Sequence, residues 1–241
     1  MAMIIKQIVV LIGLFLEIAD AQVLSATYDV SYGIFKKLGT AEARYETKED
    51  NTYSIKIEAR TEGLAKVLTN NRVEAYESYG SIVDGYLVPQ KYIKIRQTDS
   101  KKSIRIYTFD HPKKIVWREN IQSDEWKKVR HDFYAPEDVL SLFFNVKNHI
   151  KSQEDRPFYV IGGNKKDGRI DVVFPKNEAL SEMKKRLETQ NGDFLKVILN
   201  DRIFSSANGE LLINLGNDGL CDKAVLEDVL FFGDVVGVRV R

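Results

Sequence analysis

The chain has 241 residues, with 36 Lys and Arg against 35 Asp and Glu, for a formal net charge of +1. So even a balance excludes a nucleic-acid partner held mainly by neutralising many phosphates. The single cysteine, Cys221, excludes an internal disulfide, so the fold must rest on packing.

Residues 1–21 read as a secretory address. Lys6 precedes the apolar run Ile8-Val9-Val10-Leu11-Ile12-Gly13-Leu14-Phe15-Leu16, and Ala19-Asp20-Ala21 follows as a small-x-small cleavage pattern. The run falls short of the ~20 apolar residues that cross a bilayer core. Cleavage is predicted after Ala21, which leaves 241 − 21 = 220 residues at 22–241 as a single β-rich domain. Losing Lys6, Glu17 and Asp20 moves the charge to +1 − 1 + 2 = +2. Gln22 offers no acceptor for lipid attachment, and no later segment approaches membrane-spanning length. The predicted location is the periplasm.

From residue 23 to about Trp126 the dominant signal is two-residue alternation. Tyr28-x-Val30-x-Tyr32 places β-favouring side chains on one face, and Gly33 permits a bend. Tyr53-x-Ile55-x-Ile57-x-Ala59 repeats the pattern after the turn residues Glu49-Asp50-Asn51. Further strands are predicted at 73–79, 86–88, 92–96, 104–108 and 114–118. They are punctuated by Asp84-Gly85, Pro89, Asp99-Ser100 and Asp110-His111-Pro112. Short, regularly spaced strands indicate an antiparallel meander.

One helix is predicted over 136–150. Val139, Phe143, Val146 and Ile150, flanked by Leu140 and Phe144, make an apolar stripe. Pro136 suits the first turn, and Glu137 and Asp138 complement the positive helix end. A shorter helix at 64–68 is weakly signalled. Strands resume at 157–161, turn through Gly162-Gly163-Asn164, and return at 169–174. Residues 176–190 stay ambiguous: Leu180, Met183 and Leu187 have helical spacing, yet Gln190-Asn191-Gly192 looks like a hairpin turn into Phe194-Leu195-Lys196-Val197-Ile198. A last hairpin is expected at Ala207-Asn208-Gly209, between strands at 202–205 and 211–215, and 230–238 should close the sheet. The expected fold is mainly β: one antiparallel curved sheet, or a partly open barrel or roll, packed on one central amphipathic helix.

Several motifs together resemble the exported bacterial family catalogued as domain of unknown function 3108. They are Tyr28-x-Val30-x-Tyr32-Gly33-x-x-x-x-Leu38-Gly39, Glu137-Asp138-Val139-Leu140-Ser141-Leu142-Phe143-Phe144, Gly192-Asp193-Phe194-Leu195-Lys196-Val197, and the ending Gly209-Glu210-Leu211 with Phe232-Gly233-Asp234. Val146-Lys147 stands where the family typically has an arginine. The resemblance implies a periplasmic β-rich fold, an open curved sheet around a helix, comparable to lipoprotein carriers. It favours a strand for 185–189 and implies no established activity.

Local motifs give little chemistry. His111, His131 and His149 form no HxH, HExxH or Cys-His cluster, so no metal or cofactor is expected. His111 reads as a solvated turn residue, and the acidic pairs Glu137-Asp138, Glu154-Asp155 and Glu227-Asp228 as solvated turns. Cys221 reads as a small core residue. The segment 162–168 lacks the GxxxxGK[ST] spacing and reads as a hairpin loop. Between Lys91 and Asp132 twelve Lys or Arg face six Asp or Glu, interleaved with Tyr92, Tyr107, Trp117 and Trp126. That pattern suits either anionic lipid headgroups or acidic glycan, or simply the wet face of alternating strands.

The expected function is non-catalytic binding of an apolar or amphipathic ligand, a lipid or a lipidated segment. The candidate ligand-binding residues are Leu140, Phe143, Phe144, Tyr92, Trp117 and Trp126. The alternatives are a module that binds another envelope protein by a strand edge, and a hydrolase of envelope polymers, for which no catalytic residue stands out. The stripe Leu140, Phe143, Phe144 and Val146 is expected to bury against Tyr32, Ile55 and Ile57 as core rather than as a lid.

Overall fold

The computed structural model describes residues 21–33, 35–122, 125–150, 154–164, 166–198, 209–227 and 233–241. The apolar run at 8–16, the predicted strand at 202–205 and the aromatic pair at 231–232 lie outside them. Alternation of buried and wet side chains builds the first half of the fold. Strands β1 (Val23–Tyr32), β2 (Phe35–Thr47), β3 (Thr52–Thr61), β4 (Val73–Val83), β5 (Tyr86–Gln97), β6 (Lys102–Asp110), β7 (Ile115–Gln122) and β8 (Glu125–Arg130) form an antiparallel meander. A six-residue helix, α1 (Gly63–Leu68), joins β3 to β4 and buries none of its residues; Leu64, Val67 and Leu68 are all exposed.

The second half comprises β9 (Glu137–Asp138), α2 (Val139–Asn145), α3 (Lys147–Ile150), β10 (Arg156–Ile161), β11 (Arg169–Val173), α4 (Asn177–Leu187), β12 (Asp193–Ile198), β13 (Glu210–Leu215), β14 (Cys221–Leu226) and β15 (Val235–Arg239). Strand β15 pairs antiparallel with β1, setting Tyr28 opposite Arg239 and Val30 opposite Gly237. That pairing joins the halves into one sheet ordered β8 to β1, then β15 down to β9. The far edge, β9, contacts β5, so the open sheet curls back on itself.

Two expected strands, 86–88 and 92–96, are one. Pro89 does not end β5, because it sits at a bulge where Tyr79 faces Lys91 and Gly80 faces Pro89, and no ladder N–H is required of it there. Gly80 is obligatory at this crossing: a Cβ would lie 2.0 Å from the Val88 carbonyl oxygen. Strand β2 escaped the alternation signal because its inward row is Gly39, Ala41, Ala43 and Tyr45, mostly residues poor in strand propensity. Gly39 itself is a steric requirement: a Cβ there would meet the Arg60 carbonyl oxygen at 1.9 Å.

The central helix differs from expectation. Residues 137–138 are a short parallel strand paired with β10, and the helix starts at Val139 with Asp138 as its N-cap. Helix α2 is only seven residues, and Leu140, Ser141, Leu142, Phe144 and Asn145 are all buried. It is therefore enclosed rather than amphipathic, because each side packs on a different half-sheet. Leu140 and Phe144 join a cluster with Tyr45, Ile55, Tyr92 and Tyr107, whereas Leu142 and Val146 join Phe158, Val160, Ile170 and Leu195. Ile57 packs against the first cluster as expected, but β1 is represented there by Ala26, Leu24 and Tyr28 rather than Tyr32.

Residues 177–187 are helical, which overturns the strand expected at 185–189. Met183 and Leu187 bury into a third cluster with Phe194, Leu212 and Val225, so the helical spacing prevails. Glu188 closes the helix in the left-handed conformation (φ 53°), and Lys184, Lys185 and Arg186 favour the negative helix end.

Candidate functional site

Burying α2 between the half-sheets requires that its polar ends be satisfied. The Asp138 carboxylate accepts from the backbone N–H of Leu140 (2.8 Å) and Ser141 (3.0 Å), and the Asp138 N–H donates to Ser141 Oγ (3.0 Å). The second carboxylate oxygen accepts from Ser78 Oγ at 2.7 Å on β4, and Tyr53 Oη lies 3.0 Å from that hydroxyl. At the other end, Asn145 clasps the backbone of Leu87, accepting from its N–H (2.8 Å) and donating to its carbonyl (2.9 Å). Asn145 also donates to Glu137 at 2.6 Å.

The acidic pair 137–138 is thus not in a solvated turn: Asp138 is fully buried. Burial raises its carboxyl from 3.8 to about 6, although its hydrogen-bond donors pull the other way, and burial raises Glu137 as well. These two carboxylates hold the helix. His111 does lie in a turn, but it is half-buried and held by both ring nitrogens. Its Nε2 donates to the Pro89 carbonyl (2.6 Å), Nδ1 lies 3.0 Å from Tyr134 Oη, and the ring stacks on Phe109. The hairpin reading of 162–168 holds: Asn164 Oδ1 accepts from the N–H of Lys166, Asp167 and Gly168, tying the β10–β11 loop. Among the described residues no three His, Cys, Asp or Glu side chains gather as metal ligands.

The halves do not close completely around α2. Between them lies a cavity of about 290 Å³ with predominantly apolar walls, near the lower end of the ~300–1,000 Å³ typical of small-molecule sites. Its walls are Tyr76, Tyr92 and Lys94 from β4 and β5, Val139 and Phe143 from α2, and, opposite, side chains including Ile170, Val197 and Leu211. Gly162 completes the wall against Tyr92. Its φ of 98° is one that L side chains rarely adopt, and a hypothetical Cβ would lie a tight 3.2 Å from Tyr92 Oη, so the position favours glycine. Tyr92 is fully buried, yet its hydroxyl has no hydrogen-bond partner.

A second recess of about 350 Å³ shares Tyr76 and Lys94 with the cavity and is lined mainly by polar and charged residues. Four cations line it, Lys94, Arg96, Lys101 and Arg105, against one carboxylate, Glu74. Glu74 is already engaged by Arg72, by Arg96 Nε at 2.8 Å and by the Tyr76 hydroxyl at 2.7 Å. Burial alone would raise Glu74, but these donors hold it below its ordinary range. Burial pulls the Lys94 ammonium below its ordinary range, and the Arg105 guanidinium adds to the fall.

Of the six residues singled out from sequence, the structure brings Tyr92 and Phe143 together at the cavity. Leu140 is core, and Phe144 stacks on Tyr45 with ring centroids 4.4 Å apart. Trp117 and Trp126 are exposed, and the β6–β7–β8 register puts them on the face opposite Tyr92. Trp126 donates there to Glu119 at 3.2 Å. They are not part of the site. The residues missed are Tyr76, Lys94, Arg105 and the apolar wall of the second half. The alternation Tyr92-x-Lys94-x-Arg96 did place Lys94 on the same face as Tyr92, but only the fold reveals what that face encloses.

No curated protein matches the chain. Among solved structures, the chain is similar to a beta-barrel-like protein of domain of unknown function DUF1849 from Brucella abortus. The TM-score is 0.55 at 9% identity, covering 90% of this chain and 95% of that one. The likeness supports a barrel-like curvature and carries nothing about activity. The description "Protein of unknown function (DUF3108)" matches residues 27–199, a span that takes in the first half-sheet, the α2 pin and most of the cavity wall, and the chain belongs to that family.

Proposed function

We propose that the protein is an exported, non-catalytic envelope protein that holds an apolar or amphipathic ligand in the cavity between its half-sheets. The observation that carries this reading is the predominantly apolar cavity of about 290 Å³ that the half-sheets leave unfilled. Unfilled apolar space forgoes the dispersion contacts that close packing would supply. A ligand chain would restore those contacts. Export rests on Lys6, the 8–16 apolar run and the Ala19-Asp20-Ala21 pattern.

The strand-edge alternative gains less support. The exposed edge, β8, carries Glu125, Lys127, Lys128 and Arg130 within six residues, a charge density that opposes pairing with another chain. A hydrolase reading fares no better, since Glu137 and Asp138 are spent on holding α2.

Native mass spectrometry of protein purified from its own compartment, with thermal melts in added lipid, tests the proposal. A retained apolar mass, or a melting temperature that rises with lipid, is expected. A clean apo mass with melts indifferent to every lipid would overturn it.

A further inference from the structure

The recess beside the cavity specifies one end of the ligand. Lys94 and Arg105 face each other directly across β5 and β6, on the same side of the sheet. Like charges so placed repel, and a sheet normally avoids the arrangement. Neither makes an ion pair with a carboxylate among the described residues, because Glu74 is taken up by Arg72, Arg96 and Tyr76. The Lys94 ammonium sits 5.5 Å from the centre of the Tyr76 ring, at the boundary shared by the polar recess and the apolar cavity. The apolar slot thus ends at Lys94, with Arg105 beside it in the recess, and neither is ion-paired among the described residues.

Resting on the proposed ligand-holding role, we infer that the cavity takes a single-chain amphiphile with an anionic head. Its chain lies along Val139, Phe143, Ile170 and Val197, and its carboxylate or phosphate is held by Lys94 and Arg105. The head group relieves the repulsion between the two cations, and its charge-assisted hydrogen bonds are the strong class. A neutral head of the same length would leave both cations as they are, and a cationic head would add a third positive charge. The pair therefore selects the ligand by the sign of its head, while the cavity selects for an apolar chain.

The test uses the full protein with dodecanoate, dodecyl phosphate, dodecanol and dodecylamine in binding titrations, repeated with Lys94→Met and Arg105→Gln. Lys94→Met keeps an apolar stem in the shared wall, and Arg105 is exposed, so Arg105→Gln leaves packing intact. Both anions should bind about tenfold or more tighter than dodecanol, and dodecylamine weakest. Each substitution should erase most of that preference, read as the ratio of anion to dodecanol affinity within the same variant. Equal affinity for the anions and dodecanol would overturn the head-group assignment and leave the cavity reading standing. An anion preference that survives Arg105→Gln in a folded protein would overturn the assignment to this pair. Failure of all four probes would overturn the cavity reading itself.

Discussion

Asp138 offers the most detailed test of how α2 is held. Its carboxyl is raised from 3.8 to about 6, so the folded protein binds a proton more tightly than the unfolded chain does. The stabilisation linked to that proton is complete below pH 3.8 and is lost as pH rises through about 6. A shift of that size corresponds to at most about 3 kcal/mol at 1.36 kcal/mol per unit. Asn at this position keeps an acceptor for the Leu140 and Ser141 N–H groups and can donate to Ser78, but it carries no titrating proton. Asp138→Asn should therefore lie within about 1 kcal/mol of the parent at neutral pH, where hydrogen bonding is nearly conserved. The parent should gain on it as pH falls from about 6 toward 3.8. Asp138→Ala removes the cap and strands the Ser78 hydroxyl, for a cost of roughly 2–4 kcal/mol at neutral pH that grows as the parent gains stability toward pH 3.8. Chemical denaturation of the three proteins across this window reads the differences directly, and carboxylates common to all largely cancel. Parallel stability curves for the parent and Asp138→Asn would refute the claim that Asp138 titrates in its buried position.

Further outcomes follow from the packing. Phe144→Ala should cost about 3–5 kcal/mol, because the ring is buried and stacked on Tyr45. Phe143→Ala should cost clearly less in thermal melts, because its half-buried ring borders open space; equal losses would contradict this placement. Cys221, its thiol pushed up to about 12 mainly by burial, should react with thiol reagents far more slowly in native than in denatured protein. Trp126→Ala, on the outer face, should shift stability within about 0.5 kcal/mol and leave ligand binding unchanged in the same titrations.

The strands of the first half were legible where one face is buried and the other wet, as at Tyr53-x-Ile55, because packing writes the two-residue period into the sequence. Strand β2 was hidden because its inward row opens with small residues, of which Gly39 is required by the close Arg60 carbonyl, and β8 because an exposed edge has no apolar face to display. The helix was begun three residues early, at 136, because apolar spacing marks a helical period but not the buried cap, Asp138, that starts it; the far end at 150 coincides with the end of α3, after a break at Val146. Glu137 and Asp138 looked like turn acids because a partner that makes Asp138 structural, Ser78, lies 60 residues away. For the same reason the cavity could not be read from motifs: its walls come from both half-sheets, and only Tyr92 and Phe143 announced themselves as aromatics on the right faces.

The central claim is that the space between the half-sheets is a ligand site. Val197 is half-buried in the cavity wall, paired with Leu211 across β12 and β13, so a larger side chain there can fill the cavity from its margin. A dodecanol titration of Val197→Trp beside the parent, with thermal melts to establish that both are folded, is the most direct measurement. The account predicts that the parent binds and that Val197→Trp binds at least tenfold more weakly with a melting temperature at or above the parent's. Undiminished dodecanol binding by folded Val197→Trp would place the ligand elsewhere and contradict the account.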